Sequence, residues 1–414
     1  MALSKYTFTT PAVRKGDMPH FRHRFAMQLI KKLAKLWPVV GVIGARQTGK
    51  TTLMQTLFDM HHVVSLDYLP AKEEALKSPH TFLEKLSPPL LIDEIQKAPP
   101  LFDAIKFKVD QKRIPGSYFI TGSSAFSSKI GIRESLTGRI GLVELFPMTM
   151  AEMHDKPFRS IKTLAIPLKP DQLRPRFNSA SLGQAAIIGG MPVPAFLRDQ
   201  DQRNLYWRSW LETSILRDLS RFFSRGFDPD FAFILLEKLA DILRQGELPT
   251  LKHFSGPIRK VRIYLAGMEE IFLLQKINCH SLGIGKEIWL FMDSGLAAYL
   301  MGTILGEGVT LSLVRHFIWN EINVQVACQG NRLSRIYYKS AQGSPVDFII
   351  NQIPFRIVPT VTALTRQLDW EQRPLRGVMK KLGVRFGYLI GPTDKADLPQ
   401  KQGGIGILPW TAWS

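Results

Sequence analysis

At 414 residues the chain can bury more than one core, and a composition of 45% hydrophobic and 21% charged residues excludes a disordered or fibrous protein. Lys and Arg number 54 against 35 Asp and Glu, giving a formal net charge of +19; such a field favours polyanions, while a merely cationic soluble surface is the competing reading. Two distant cysteines, Cys279 and Cys328, indicate neither a disulfide framework nor a zinc site. With no signal-peptide core and no run of about 18 apolar residues, the expectation is a cytoplasmic protein without membrane contact.

Residues 1–18 mix polar residues with Pro11 and Gly16 and read as a flexible arm. Phe25, Leu29, Ile30, Leu33 and Leu36 then recur at helical spacing with lysines on the other faces, and Pro38 ends that helix. The apolar run Val39 to Ile43 predicts a strand. It leads into Gly44-Ala45-Arg46-Gln47-Thr48-Gly49-Lys50-Thr51-Thr52, after which Leu53, Met54 and Leu57 fall at helical spacing. Strand, glycine-rich turn and helix in that order form a P-loop: the glycines let the backbone N–H groups curl inward, and the helix N-terminus adds positive potential. In such a loop Lys50 reaches the β- and γ-phosphates and the Thr51 hydroxyl ligates Mg²⁺.

His62 to Asp67 predicts a second strand, and Ala71 to Leu86 a helical stretch broken at Pro79. The adjacent His61 and His62 lack an acidic or cysteine partner at ligand spacing, which argues against a metal there. Pro89-Leu-Leu-Ile-Asp93-Glu94 is an apolar strand ending in two carboxylates, the form of a Walker B element. Asp93 would hold the Mg²⁺ shell and Glu94 would orient or deprotonate water. Ile114-Pro-Gly-Ser-Tyr-Phe-Ile-Thr121-Gly-Ser123-Ser124 reads as a third strand ending in small hydroxyl residues, which places Thr121 or Ser123 where a γ-phosphate or its water is sensed; a hydroxyl-rich turn is the alternative. Arg139, just before the strand Ile140 to Phe146, is either an arginine finger for a neighbouring subunit or a solvated surface arginine.

At this point the chain resembles the bacterial and archaeal group of AAA-type ATPases that join a P-loop domain to a C-terminal domain of unknown function. The resemblance rests on Gly44–Leu53, Leu66-Asp67, Leu91–Pro99, Ile120–Ser124, Ser135–Arg139, Gly189-Gly-Met-Pro192 and Asp293–Leu300. It implies ATP binding, hydrolysis and a homo-oligomer, and it favours Arg139 as a trans-acting finger.

Prolines crowd residues 157–176, which read as a linker, and Trp207 to Phe223 reads as a helix. From Phe231 to Phe291 the order is helix, short helix near Leu251, helix over 259–271 and ribbon, as in a winged helix. Lys252, Arg259, Lys260 and Arg262 cluster about the third helix and are the candidates for contact with double-stranded DNA or another nucleic acid; a packing module is the competing reading. Glu321 on a helix, then strands at Ile336, Val346-Asp347 and Phe355, follow the order of a restriction-endonuclease-like fold. Related sequences carry Glu-x-Lys on the last strand. Here it reads Phe355-Arg-Ile-Val-Pro-Thr360, so a nuclease-like domain without nuclease activity is expected.

The fold class that follows is α/β: a P-loop NTPase parallel sheet flanked by helices (19–155), a linker and helical region (156–228), a winged-helix-like domain (229–305) and a small α/β restriction-endonuclease-like domain (306–414). The function expected is Mg²⁺-dependent ATP hydrolysis that rearranges the C-terminal domains on nucleic acid. A nucleotide-gated switch that holds ATP and recruits a protein partner is the alternative.

Overall fold

The computed structural model describes residues 22–124, 136–157, 177, 182–306, 308–328, 336–340, 345–350, 352–358, 360, 363–364, 366–394, 396–399 and 403–410. The arm over 1–18 and most of the proline-rich linker lie outside the described residues. The chain divides into two compact units, one of residues 1–146 with 270–272 and one of residues 147–269 with 273–414.

In the first unit, α1 (Ala26–Leu36) precedes β1 (Val39–Ile43), and α2 (Lys50–Leu57) follows the P-loop. Next come β2 (His62–Ser65), α3 (Leu69–Lys77), α4 (Pro79–Glu84), β3 (Leu90–Asp93), α5 (Pro100–Gln111), β4 (Tyr118–Gly122) and β5 (Ile140–Glu144). Pro79 splits the expected helix into α3 and α4 because its ring and missing N–H suit only a first helical turn. The five strands form one parallel sheet in the order β2-β3-β4-β1-β5. All five residues of β1 and of β4 are buried, so these strands are covered on both faces and read as unbroken apolar runs rather than alternating ones. Helix α5 adds Leu101, Phe102, Ile105 and Val109 to the same core as Leu90, Ile92 and Ile120. Because the strands are parallel and in register, Ile43, Asp93 and Gly122 end on one edge of the sheet.

In the second unit, α6 (Met150–Met153), α7 (Leu182–Ile188) and α8 (Gln200–Thr213) come first, and α8 runs on into a π-helical turn over Ser214–Leu219. Then follow α9 (Pro229–Arg244), a 3-10 turn (Leu251–His253), α10 (Ile258–Glu270) and the antiparallel pair β6 (Leu274–Cys279) and β7 (Ile288–Phe291). The helix, turn, helix and ribbon expected over 231–291 are therefore present in order. After α11 (Ser294–Met301) and α12 (Leu311–Cys328) come β8 (Ile336–Lys339), β9 (Pro345–Val346), β10 (Phe348–Ile350), β11 (Ile353–Ile357), α13 (Leu368–Leu382), β12 (Phe386–Gly391) and β13 (Gly404–Pro409). One sheet runs β7-β6-β8-β9 and the other β10-β11-β12-β13. Asn278 and Cys279 of β6 pair in parallel with Ile336 and Tyr337 of β8, so the segments 229–305 and 306–414 share a sheet inside one unit.

Candidate nucleotide-binding site

The P-loop leaves β1 at a position where a side chain cannot stand. Gly44 has φ +151, and a Cβ there would lie 2.3 Å from the Leu145 carbonyl oxygen, so only glycine lets the loop leave β1. Gln47 (φ 60) and Gly49 (φ 91) are left-handed, a conformation that turns successive N–H groups toward a common point. Gly49 is the N-cap of α2, which places a helix N-terminus against that point. Lys50 is buried, and its Nζ donates to the Gly44 and Ala45 carbonyls at 3.0 and 2.7 Å, closing the loop on itself. Thr48 Oγ1 donates to Ala45 O at 2.9 Å. Arg46 and Thr52 are half-buried and Gln47 is exposed.

A residue the sequence does not reveal supports this loop from outside. Arg24, 5% exposed, donates through Nη1 to Thr48 O at 2.8 Å and through Nη2 to Phe146 O at 2.5 Å. It ties the P-loop to the chain leaving β5.

At the ends of β3 and β4 two carboxylates take separate partners. Asp93 Oδ1 accepts from Thr51 Oγ1 at 2.6 Å and also from Thr121 Oγ1. Thr121 is fully buried and orients Asp93. Glu94 adopts a left-handed conformation (φ 58, ψ 42), which turns the chain back so that a 3-10 turn over Ile95–Lys97 follows at once. Its Oε2 accepts from Ser123 Oγ at 2.8 Å and from Gln96 Nε2 at 2.6 Å. Of the two hydroxyl candidates, Ser123 thus stands beside the second carboxylate and Thr121 beside the first.

Arg139 lies elsewhere. It precedes β5 at the edge where Val39 and Ile140 are paired, with the five-residue strand β5, about 16 Å of extended chain, between it and the edge that bears the P-loop. Its guanidinium grips Asp110 through two bonds, Nε to Oδ1 at 2.6 Å and Nη2 to Oδ2 at 2.8 Å. That bond holds the Asp110 carboxyl below its usual range.

Thr51 and Asp93 offer a hydroxyl and a carboxylate oxygen already in contact, the hard, partly buried oxygen pair that Mg²⁺ takes from a protein while completing its shell with water and phosphate. The residues fit the ion. Among the described residues no cluster of three or more His, Cys, Asp or Glu could hold a metal, and no helix is long and apolar enough to cross a membrane.

In the second unit the basic candidates differ in their state. Lys252, Arg259 and Arg262 are exposed. Lys260 is not free for a ligand: it bonds Asp228 at 2.8 Å and lies 4.1 Å over the Phe231 ring, so it braces α10 against α9. The carboxylates of the segment expected to be nuclease-like are likewise engaged. Asp347 accepts from the Ile357 N–H at 2.7 Å and pairs with Arg315 at 2.8 Å, and Glu321 accepts from the Met150 N–H at 2.9 Å.

Residues 37–154 match the family model described as AAA domain. Uncharacterised proteins of Mycobacterium bovis and Mycobacterium tuberculosis are 28% identical over 221 residues, 53% of this chain and 44% of theirs, so the match spans less than half the length of these relatives. Among solved structures, a Walker-type ATPase of Pyrococcus abyssi covers 70% of this chain and 97% of its own at 14% identity and a TM-score of 0.42. AMPPCP-bound DnaA from Aquifex aeolicus covers 59% of this chain and 86% of its own at 13% identity and a TM-score of 0.25. With the P-loop, the paired carboxylates and the five-stranded parallel sheet, the first unit has a P-loop NTPase fold, and residues 37–154 within it are similar to the AAA domain family.

Proposed function

We propose that this protein hydrolyses ATP with Mg²⁺ and couples turnover to rearrangement of its second unit on nucleic acid. The observation that carries the hydrolytic reading is the division of labour at the sheet edge: Asp93 is joined to Thr51, while Glu94 is held apart by its own donors. The P-loop amides and Lys50 bind the phosphates, with Lys50 exchanging the Gly44 and Ala45 carbonyls for phosphate oxygens. Thr51 and Asp93 hold Mg²⁺, which when bound offsets charge on the phosphate oxygens. The oxygen of water forms its bond to the γ-phosphorus as the bond to the β–γ bridging oxygen breaks; the electron pair leaves on ADP and the water proton passes to Glu94. Thr121 and Ser123 keep the two carboxylates in place. Arg139 acts in trans within a homo-oligomer. Its position at the far edge of the sheet supports that role over any role at its own subunit's phosphates, and it must release Asp110 to act.

The nucleic-acid reading rests on the net charge of +19 and on the exposed Lys252, Arg259 and Arg262. A nuclease role is disfavoured because Asp347 is neutralised internally by Arg315. The test is steady-state ATP hydrolysis by the purified protein, with and without duplex DNA, beside Lys50→Ala and Glu94→Gln. Turnover lost in both variants and raised by DNA is expected. ATP bound but never hydrolysed by the wild type overturns the enzyme and leaves the switch.

A further inference from the structure

Glu94 is followed by a turn whose middle residue faces back on it. The left-handed backbone at Glu94 and the burial of Ile95 fix that turn, and the Lys97 N–H closes it on Glu94 O at 3.0 Å. Gln96, between them, places Nε2 2.6 Å from Glu94 Oε2 and 3.2 Å from Ser123 Oγ, while Ser123 Oγ lies 2.8 Å from the same Oε2.

The donors and acceptors in this ring can be assigned completely. An amide nitrogen has two hydrogens and a hydroxyl one. Gln96 donates to Glu94 and to Ser123, and Ser123 donates to Glu94. All three hydrogens are then used, two of them on a single carboxylate oxygen. Glu94 Oε1 takes no part in the ring. Gln96 Oε1 is buried and has no hydrogen-bond partner among the described residues. A buried acceptor left unpaired is uncommon, and a water or ligand usually fills its place.

We propose that Gln96 both positions the base for hydrolysis and contacts the attacking water. Together with Ser123 it locks Glu94 Oε2 so that Oε1 is presented to the attacking water, and its own amide oxygen accepts that water's second hydrogen. The inference rests on the hydrolytic reading above. It adds that the orientation of the base is set two residues downstream and across to β4, rather than by Glu94 alone.

Gln96→Leu removes both donors and the orphan acceptor at nearly constant volume. With Gln96→Leu, Ser123→Ala and the double variant, the measurements are kcat and KM for ATP, the Kd of a fluorescent ATP analogue, and the melting temperature. Gln96→Leu is expected to lower kcat about 10- to 100-fold, within the range that a positioned proton acceptor supplies. The analogue's Kd and the melting temperature stay near wild type. The double variant loses less than the product of the single losses, because both donors serve one oxygen. Gln96→Glu, which keeps the length but replaces the amide donor with a second carboxylate, does not restore turnover.

An unchanged kcat in Gln96→Leu, beside a wild type that hydrolyses ATP, overturns the role of Gln96 and leaves the ATPase standing. A variant that loses nucleotide affinity or melting temperature in step with kcat also overturns it, since Gln96 would then be structural. A wild type that binds the analogue and turns over no ATP removes the hydrolytic reading and this one with it.

Discussion

Arg24→Met is the sharpest single perturbation of the P-loop that leaves the loop's own residues intact. The guanidinium is 5% exposed and bridges Thr48 O at 2.8 Å and Phe146 O at 2.5 Å, so it joins the loop to the segment after β5. Methionine keeps most of the apolar stem and removes both donors. A hydrogen bond from a charged donor contributes about 1.5–3 kcal/mol, and two that share one side chain do not add fully, so the expected loss is about 2–4 kcal/mol. In a domain of this size that lowers the melting temperature by roughly 5–15 °C. Arg24→Lys, with a single compact ammonium in place of a planar fork, should recover part of the loss but not both contacts.

The effect on ATP follows from the same geometry. Thr48 immediately precedes Gly49, the N-cap of α2, and a carbonyl released from Arg24 is free to rotate the peptide whose N–H belongs to the phosphate cradle. ATP affinity is therefore expected to fall about tenfold, equivalent to about 1.4 kcal/mol. Melting curves with and without Mg²⁺ and ATP, together with titration of a fluorescent ATP analogue, read both quantities. A variant that melts within a degree of wild type and binds the analogue with unchanged affinity would refute the bracing role.

Thr121→Val, close in shape but without the hydroxyl, should lower kcat several-fold by freeing Asp93 Oδ1 from one of its donors, and a steady-state assay across Mg²⁺ concentrations should show a weaker Mg²⁺ dependence as well. His316 should make the second unit acid-sensitive. Burial pushes its pKa down to about 4, Nε2 bonds the Phe291 carbonyl, and Nδ1 has no partner among the described residues. Because the unfolded imidazole titrates near 6.5, the unfolded state binds the extra proton first. Stability is full above about pH 6.5 and falls by about 3 kcal/mol as the pH drops to about 4. Urea titrations over that range should show the slope, and His316→Gln should flatten it. Asp347→Ala should cost about 3–5 kcal/mol by leaving the Arg315 guanidinium buried and unpaired, with no metal-dependent nuclease activity present to lose; cleavage by the wild type that the variant lacks would reverse this assignment.

What could be read from the sequence was what covalent spacing fixes. Gly44, Gly49, Lys50 and Thr51 lie within one turn of chain, and Asp93 and Glu94 end a strand whose apolar run announces itself. Arg24 and Gln96 could not be read in the same way. Arg24 sits in a basic stretch with Arg22 and His23, where only the packing of α1 against the sheet shows which arginine turns inward. Gln96 acts through a left-handed residue that propensity would assign to glycine or asparagine. The motifs Gly189-Gly-Met-Pro192 and Asp293–Leu300 were legible as motifs but not in purpose. In the fold they meet: Asp293 caps α11, accepts from the Gly190 N–H at 2.7 Å and from Gly295 at 2.7 Å, and a Cβ on Gly189 would stand 2.0 Å from its carboxylate. The two segments thus pack on one another through Asp293 within the second unit. Across the boundary expected at residue 305, β6 pairs in parallel with β8, a non-local contact that composition does not mark.

The state of the charges in the second unit bears on which of its faces can meet a partner. Asp347 and Arg315 neutralise each other inside the fold, as do Arg356 and Glu371 at 2.8 Å, with all four side chains between 6 and 13% exposed. A carboxylate held by a guanidinium has its charge already answered, which disfavours these acids as ligands for a divalent ion. The same pairing removes Arg315 and Arg356 from the cationic surface, as Asp228 partly removes Lys260. Lys252, Arg259 and Arg262 stay exposed, and they project from a turn and a helix braced by the Lys260 contacts. If nucleic acid is the partner, affinity should follow these exposed residues and fall steeply with salt. The buried pairs should govern the rigidity of the platform that presents them.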